Sequence, residues 1–331
     1  FDTWATSSIT PQINELQGTP LTPMGLRPQA HDIIRTWTFY TIVRSLYHTG
    51  TIPWKDVMIS GFALAKKGEK ISKSKGNAAN DPKTLIATHS ADVLRYWTAG
   101  ARLGTDTFFD PDELQIAKRF VTKLWNASKF AISHLEDIDL SDVPELLPVD
   151  QWMIHRTNEV IQKATKLLYE YEFGSARHEI DALFWHDLCD NYIEIVKERL
   201  YMPEIHGEAE RRSGQYALYY ALLNILKMYA IYVPHITEYI YQNFFRQYEN
   251  ALSLHQLKWE KPESVDESLI AFGEQLKQAI SDMRKVKSEQ NLSMKAELDK
   301  LEVNAGEFKN WFEATRGDIK ACSNAIEVII S

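Results

Sequence analysis

Lys70-Ile71-Ser72-Lys73-Ser74-Lys75-Gly76-Asn77, with Gly68 just before it, is the segment whose residue types and spacing point most directly to chemistry. Lys70 and Lys73 stand three apart, so two ammonium groups and several hydroxyl and backbone donors can converge on one polyphosphate. The flanking glycines let such a loop close over a ligand and open again. As an isolated string the same residues more often form a solvated basic surface loop, so context has to decide. A second group is apolar. Trp4, Ile33 and Trp37 could wall a pocket for a short branched side chain, where an unpaired buried donor would cost about 1 to 3 kcal/mol. The competing reading packs both tryptophans into the core of an α/β sheet. Asp32 opens a helical stretch and by position reads as an N-cap. His31, His48 and His89 lie on separate segments, and Cys189 and Cys322 stand alone. No protein-bound metal and no disulfide framework is therefore expected.

The elements that must position these residues change character along the chain. Residues 1–110 mix short apolar runs with helical ones and carry most of the Gly and Pro punctuation. Ile33, Ile34, Trp37, Tyr40, Thr41, Arg44 and Tyr47 recur at three and four, which predicts a helix over 32–47 ending near Gly50. Val57-Met58-Ile59 reads as a buried parallel strand feeding a turn at Gly61. After Phe109 the pattern becomes helical throughout. Asp110-Pro111-Asp112-Glu113 supplies a cap, a proline at the first helical position and an early acid. Ala117, Phe120, Leu124, Ser128 and Ala131 then mark one apolar face, and comparable stripes follow to about Tyr248. Met202-Pro203 to Gly207 reads as a short loop between antiparallel neighbours. A helix from Asp266 to about Asn291 precedes Leu301-Glu302-Val303, a helical Phe308 to Ala314 and a strand over Ile326 to Ile330. The fold class is α/β followed by all-α, with a small α+β subdomain at the end.

Composition narrows the function classes. Of 331 residues, 44% are hydrophobic and 25% charged, as in an ordinary globular protein. The longest apolar stretch, around Leu222 to Val233, is interrupted by Asn224 and Lys227, so no membrane segment is expected. Phe1 starts neither a signal peptide nor a natural chain by appearance. A reducing cytoplasm fits the two isolated cysteines, and a monomer is expected. Lys plus Arg total 37 against 45 Asp plus Glu, a net charge of −8. Any RNA contact must then come from a local basic patch. The helix bearing Arg284, Lys285, Lys287 and Lys295 is one candidate. Tyr216, Tyr219, Tyr220, Tyr229 and Tyr232 could stack bases, but their helical spacing favours core packing.

Context reverses the odds for the lysine loop. Lys70 to Asn77 resembles the signature loop of class I aminoacyl-tRNA synthetases, in which the first and fourth positions are Lys and the third and fifth are Ser. Val57 to Gly61, Asp81-Pro82, Ala91 to Tyr96, Phe120 with Lys123 to Ala127, and Pro234 to Glu238 resemble neighbouring segments of the valine, isoleucine and leucine enzymes. Asp2-Thr3-Trp4 and Gln29 to Trp37 are closest in type to the valyl branch. The resemblance implies that residues 1–110 are the C-terminal half of a Rossmann-like catalytic domain, 111–262 an anticodon-binding helix bundle and 263–331 a small C-terminal subdomain. It implies a valine–tRNA ligase reaction with ATP as substrate, accompanied by Mg2+, and with valine and valine tRNA as the other partners. Carried over residue by residue, Lys70 and Lys73 are catalytic. Lys70, Ser72, Lys73, Ser74, Asp32 and Gly61 meet ATP, and Trp4, Ile33 and Trp37 form the amino-acid pocket.

Two positions depart from the pattern. Ile71 stands where Met is usual, and Ser60 where many relatives have His, so Ser60 is given no role toward ATP. The His-x-Gly-His signature and an editing domain do not occur within these residues. The chain is therefore expected to be a C-terminal portion, inactive alone. Isoleucyl and leucyl enzymes, and a noncatalytic tRNA-binding relative, remain alternatives, although retention of Lys70 and Lys73 argues against the last.

Overall fold

A computed structural model describes residues 2–13, 18, 22–66, 69–71, 82–261 and 264–331. It opens with a short helix α1 (Thr3–Ser7), strand β1 (Met24–Ala30), a tight turn over 31–38, helix α2 (Phe39–Thr49) and strand β2 (Trp54–Ser60). β1 and β2 run parallel, with Met24 opposite Trp54 and Ala30 opposite Ser60. The helix between them is the crossover that parallel pairing requires. Gly50 ends α2 in the left-handed conformation at φ 72°, and its N–H donates to Leu46 O at 3.0 Å.

The segment 31–47 departs from the single helix expected. His31–Ile33 is a 3-10 turn and Ile34–Thr38 a π-helical turn, and only then does α2 begin. The N-cap position belongs to Ala30, so Asp32 is not the cap but the second residue of the first turn. A π turn adds one residue to a helical turn and shifts the phase of everything after it. The buried side chains become Trp37, Thr38, Thr41 and Ser45, while Ile34 and Tyr40 are exposed and Tyr47 is 86% exposed. The 57–59 run is a strand as expected, but not a buried one. Val57 is exposed and Met58 and Ile59 are half-buried, because among the described residues β1 is β2's only partner strand.

Past β2 the chain forms a second small sheet in which β3 (Ala63–Lys66) lies between β4 (Glu69–Lys70) and β5 (Thr107–Phe108). Helices α3 (Pro82–His89) and α4 (Ala91–Thr98) precede β5 in sequence. The bundle begins at α5 (Pro111–Ser133), whose cap forms as predicted: Asp110 Oδ1 accepts from Asp112 N at 2.9 Å, with Pro111 first in the helix. It continues through α6 (Pro148–Tyr169), α7 (Phe173–Ala182) and a ten-residue π segment (Leu183–Tyr192) leading directly into α8 (Ile193–Tyr201). The stretch expected as a loop contains a helical turn, α9 (Pro203–His206). Then come α10 (Glu208–Tyr229), α11 (Pro234–Asn243) and α12 (Glu267–Glu289). Tyr219, Tyr229 and Tyr232 are buried, which makes them core residues and not base-stacking ones.

At the end of the chain β6 (Leu298–Val303) pairs in parallel with β7 (Ala325–Ile330) across two helices, α13 (Lys309–Ala314) and α14 (Arg316–Ser323). The apolar core runs without a break from Val93 through the bundle to Ile330. Gly273 lets α12 approach α6 closely, since a Cβ there would fall 2.0 Å from Trp152 Nε1. Arg199 on α8 ties the two parts together, donating to Asp150 at 2.6 Å and to Asp318 at 3.0 Å with all three side chains buried. Burial pushes the Asp318 carboxyl up to about 6 against the attraction of Arg199.

Lys287 overturns part of the expected basic surface. It is fully buried near the end of α12, and its ammonium donates to Met294 O, Ala296 O and Ser323 O at 2.6 to 3.0 Å. Three carbonyls can hold an ammonium because it has three donors and no acceptor. Arg284 on the same helix donates to Asp190 O, and Lys285 lies 4.0 Å from Glu289. That helix is fastened to the fold more than it is presented to a partner.

Candidate functional site

In open sheets of parallel strands, ligands bind beyond the carboxyl ends of the strands. Here those ends are Ala30 and Ser60, side by side. The segments leaving the two strands meet: the rings of His31 and Phe62 are 4.3 Å apart, edge to face. Ser60 Oγ donates back to Gln29 O at 3.2 Å, and the buried Gln29 side chain accepts from Thr38 Oγ1 at 2.7 Å. Thr38 Oγ1 also reaches Ile33 O at 3.1 Å, so the turn bearing Asp32 and Ile33 is held to the strand from inside. Asp32 is exposed on this turn and Ile33 half-buried.

Gly61 is required by close approach. A Cβ there would lie 2.2 Å from Thr105 O and 2.6 Å from Asp106 N, inside any tolerable contact. The turn that crowds it is tied down by Gly104 N to Ile59 O, Thr107 N to Phe62 O and Phe62 N to Asp106 Oδ1, at 2.8 to 2.9 Å. Its glycine is therefore explained by the backbone before any ligand is considered. Next to it a cavity of about 560 Å3 opens between the end of β2 and the bundle, bordered by Ser60, Phe62, Arg95, Arg102 and Tyr232. Arg95 is committed there, donating to Ile231 O at 2.7 Å and Tyr232 O at 3.2 Å.

Trp37 is 7% exposed, and its indole N–H donates to Ser7 O at 3.1 Å. The Trp54 ring lies 5.5 Å away, and the Arg27 guanidinium covers Trp37 at 4.1 Å. Burial lowers the affinity of Arg27 for its proton. Arg44 holds α1 from the other side, donating to Ala5 O at 2.6 Å. Trp4, on α1, remains 39% exposed. The structure thus brings the segments of Trp4, Ile33 and Trp37 together, with Trp37 seated in the core and Trp4 at its edge. Lys70 enters through its backbone, which pairs with Leu64 in the β3–β4 hairpin. Ser72, Lys73 and Ser74 lie outside the described residues.

Sequence reasoning missed Gln29, Phe62 and Asp106, whose parts depend on partners 9 to 44 residues away. It also missed Asp92, buried on α4, whose carboxylate accepts from Ile236 N at 2.7 Å and His235 N at 3.2 Å. This caps the start of α11 from the first 110 residues of the chain. Among the described residues no group of three or more His, Cys, Asp or Glu is arranged to hold a metal, and no helix is long and apolar enough to cross a membrane.

Comparison with known proteins places both halves. Residues 1–110 match the family of class I tRNA synthetases (I, L, M and V), and residues 150–303 the anticodon-binding domain of tRNA ligase. The chain is 38% identical to the valine–tRNA ligase of Wolbachia sp. subsp. Brugia malayi (strain TRS), over 98% of this chain and 39% of that protein. It is 40% identical to the valine–tRNA ligases of Ehrlichia ruminantium (strain Welgevonden) and Rickettsia felis, over 99% of this chain and 41% and 40% of theirs. The chain spans about two fifths of the length of these relatives. Its fold is similar to that in the crystal structure of the ternary complex of Agrobacterium radiobacter K84 agnB2 LeuRS-tRNA-LeuAMS. The TM-score is 0.59 and the identity 16%, over 81% of this chain and 33% of that one.

Proposed function

We propose that this chain, which belongs to the class I aminoacyl-tRNA synthetases, serves a valine–tRNA ligase: activation of valine by ATP to valyl-adenylate, then transfer of the valyl group to valine tRNA. The observation that carries the reading is identity of about 40% to valine–tRNA ligases over nearly the whole chain, with both family regions in order. It favours valine over the isoleucyl and leucyl alternatives. ATP enters as its Mg2+ complex, as substrate. In this reading the adenylate lies beyond Ala30 and Ser60, where Asp32 positions it and Gly61 borders it. Trp4, Ile33 and Trp37 wall the valine side chain. Residues 1–110 then form part of the catalytic domain, 111–262 the tRNA-binding bundle and 263–331 a terminal subdomain that braces it.

When the valine carboxylate attacks the α-phosphate, charge grows on the departing pyrophosphate. Cations already in place there lower the barrier more than they tighten ATP binding. Lys70 and Lys73 take that role, Lys73 foremost because Ser72 and Ser74 flank it. The reading is tested by ATP–pyrophosphate exchange in the gene product carrying these residues. Valine should be activated best, isoleucine poorly because of its extra methylene, and threonine detectably. Valyl-tRNA synthetases as a group reject threonine, an isostere of valine that adds only a hydroxyl, by roughly 10². Faster exchange with isoleucine than with valine would overturn the assignment.

A further inference from the structure

Among the described residues His134 is the one fully buried histidine, 6% exposed. It closes α5: its N–H donates to Ala131 O at 3.0 Å, and its carbonyl accepts from Gln215 Nε2 of α10 at 2.7 Å. Aromatic side chains surround the imidazole. The Phe130 ring, one turn back, lies 4.8 Å away, and the Tyr201 ring at the end of α8 lies 4.3 Å away, edge to face. Nε2 is shielded from water and has no hydrogen-bond partner among the described residues. In a neutral ring that nitrogen can stay an idle acceptor. A proton there would make it a buried donor and a buried charge, with nothing to accept either.

The charged and polar groups that face the ring come from three elements. Burial and the Arg211 guanidinium of α10 lower its affinity for a proton, while the Leu200 carbonyl of α8 and the Asp137 carboxylate after α5 pull more weakly the other way. Asp137 is engaged elsewhere, by both Arg211 terminal nitrogens at 2.7 and 2.9 Å and by Gln215 Nε2 at 2.9 Å. The Tyr201 phenol completes the set. Tyr201 is also the cover, since it is 54% exposed although its ring lies against the imidazole.

We propose that His134 and Tyr201 form an acid-sensitive latch at this corner of the bundle. While the imidazole is neutral it keeps the end of α5 packed on the end of α8. Once it takes a proton, Tyr201 swings aside, the ring turns out to water, and residues 131–142 loosen while the other helices stay folded. The sign follows from linkage. A ring that stays neutral when closed and titrates at its ordinary 6.5 when open leaves the latch unaffected above that pH and favours opening below it. Between pH 7.5 and 5.5 the opening constant then rises by up to about 10-fold.

The test is hydrogen exchange on the 331-residue chain at pH 7.5 and 5.5, expressed as protection factors so that the pH dependence of intrinsic exchange drops out. Protection over 131–138 and 199–202 should fall by up to about 10-fold at the lower pH, and protection across α12 should hold. His134→Phe keeps a ring between Phe130 and Tyr201 but cannot take a proton, so the loss should vanish. Tyr201→Ala removes a largely exposed side chain and opens the imidazole to water. In that variant the His134 Cε1–H resonance should titrate near the ordinary histidine value of 6.5, and in the parent below it. Unchanged protection in the parent, or a loss that persists in His134→Phe, would show that no latch exists. A parent resonance titrating at 6.5 would show that the rings accommodate the cation and would equally overturn the proposal. Should His134→Phe fail to fold, the titrations of the parent and of Tyr201→Ala decide the matter.

Discussion

The first 110 residues and the helices after them are built on different principles. Among the described residues before 110 the buried hydrophobic side chains, besides Pro11 and Pro53, are Trp37, Trp54, Leu64, Val93 and Tyr96, and the last two belong to the helical core. Phe39, Tyr40, Leu46 and Tyr47 stand exposed along α2. The α/β part is held by strand pairing and by single long-range bonds such as Trp37 to Ser7 and Phe62 to Asp106. In the bundle one continuous core fills the space between helices, and each large side chain buried there contributes about 1.5 to 3 kcal/mol. Buried ion groups join it: Arg199 with Asp150 and Asp318, and Asp187 between Arg156 and Lys277 at 2.6 to 2.7 Å. The difference separates two jobs. Stability resides in the helices, and the strand ends, thinly packed and rich in backbone contacts, are where the proposed function puts its chemistry.

Two substitutions probe that division from opposite sides. Arg199→Ala removes the partner of two buried carboxylates and should cost about 3 to 5 kcal/mol, read as a lower urea midpoint with loss of amide protection across α6, α8 and α14. A change below about 1 kcal/mol would mean that this triad does not hold the terminal subdomain to the bundle. Trp37→Phe keeps the ring in its place beside Trp54 but removes the donor to Ser7 O, a loss of about 0.5 to 1.5 kcal/mol. Hydrogen exchange should quicken in α1 and the 31–38 turn and stay unchanged in the bundle. Faster exchange throughout the helices would show that the two regions unfold as one.

The two regions were also unequally legible in the sequence. α5 and α12 could be read from their stripes and from Asp110 and Asp266, because helix periodicity and capping are local. The strand before Gly61 was legible as a strand, but its exposure was not, since burial depends on what lies across it. The π turn at Ile34–Thr38 broke the phase of a stripe that looked regular, and it is held by Thr38 bonding to Gln29 and Ile33. Lys287 read as a surface cation because the helix pattern does not announce that the turn after α12 folds back to bring Met294 O and Ala296 O to it, nor that Ser323 O arrives from α14. The cap that Asp92 places on α11 spans 144 residues and leaves no trace in either segment. The lysine loop was the clearest chemical signal in the chain, and its central residues lie outside the described ones.

Lys73→Ala tests most directly whether the lysine motif Lys70 to Lys75 supplies transition-state charge while the bundle supplies stability. In the gene product carrying these residues, single-turnover formation of valyl-adenylate should slow by about 10² to 10³, the size of effect that follows removal of one preorganised donor. The Michaelis constant for ATP should change much less, and the thermal midpoint should not move. Unchanged turnover with weakened ATP binding, or a lowered melting temperature that accounts for the lost rate, would contradict this division.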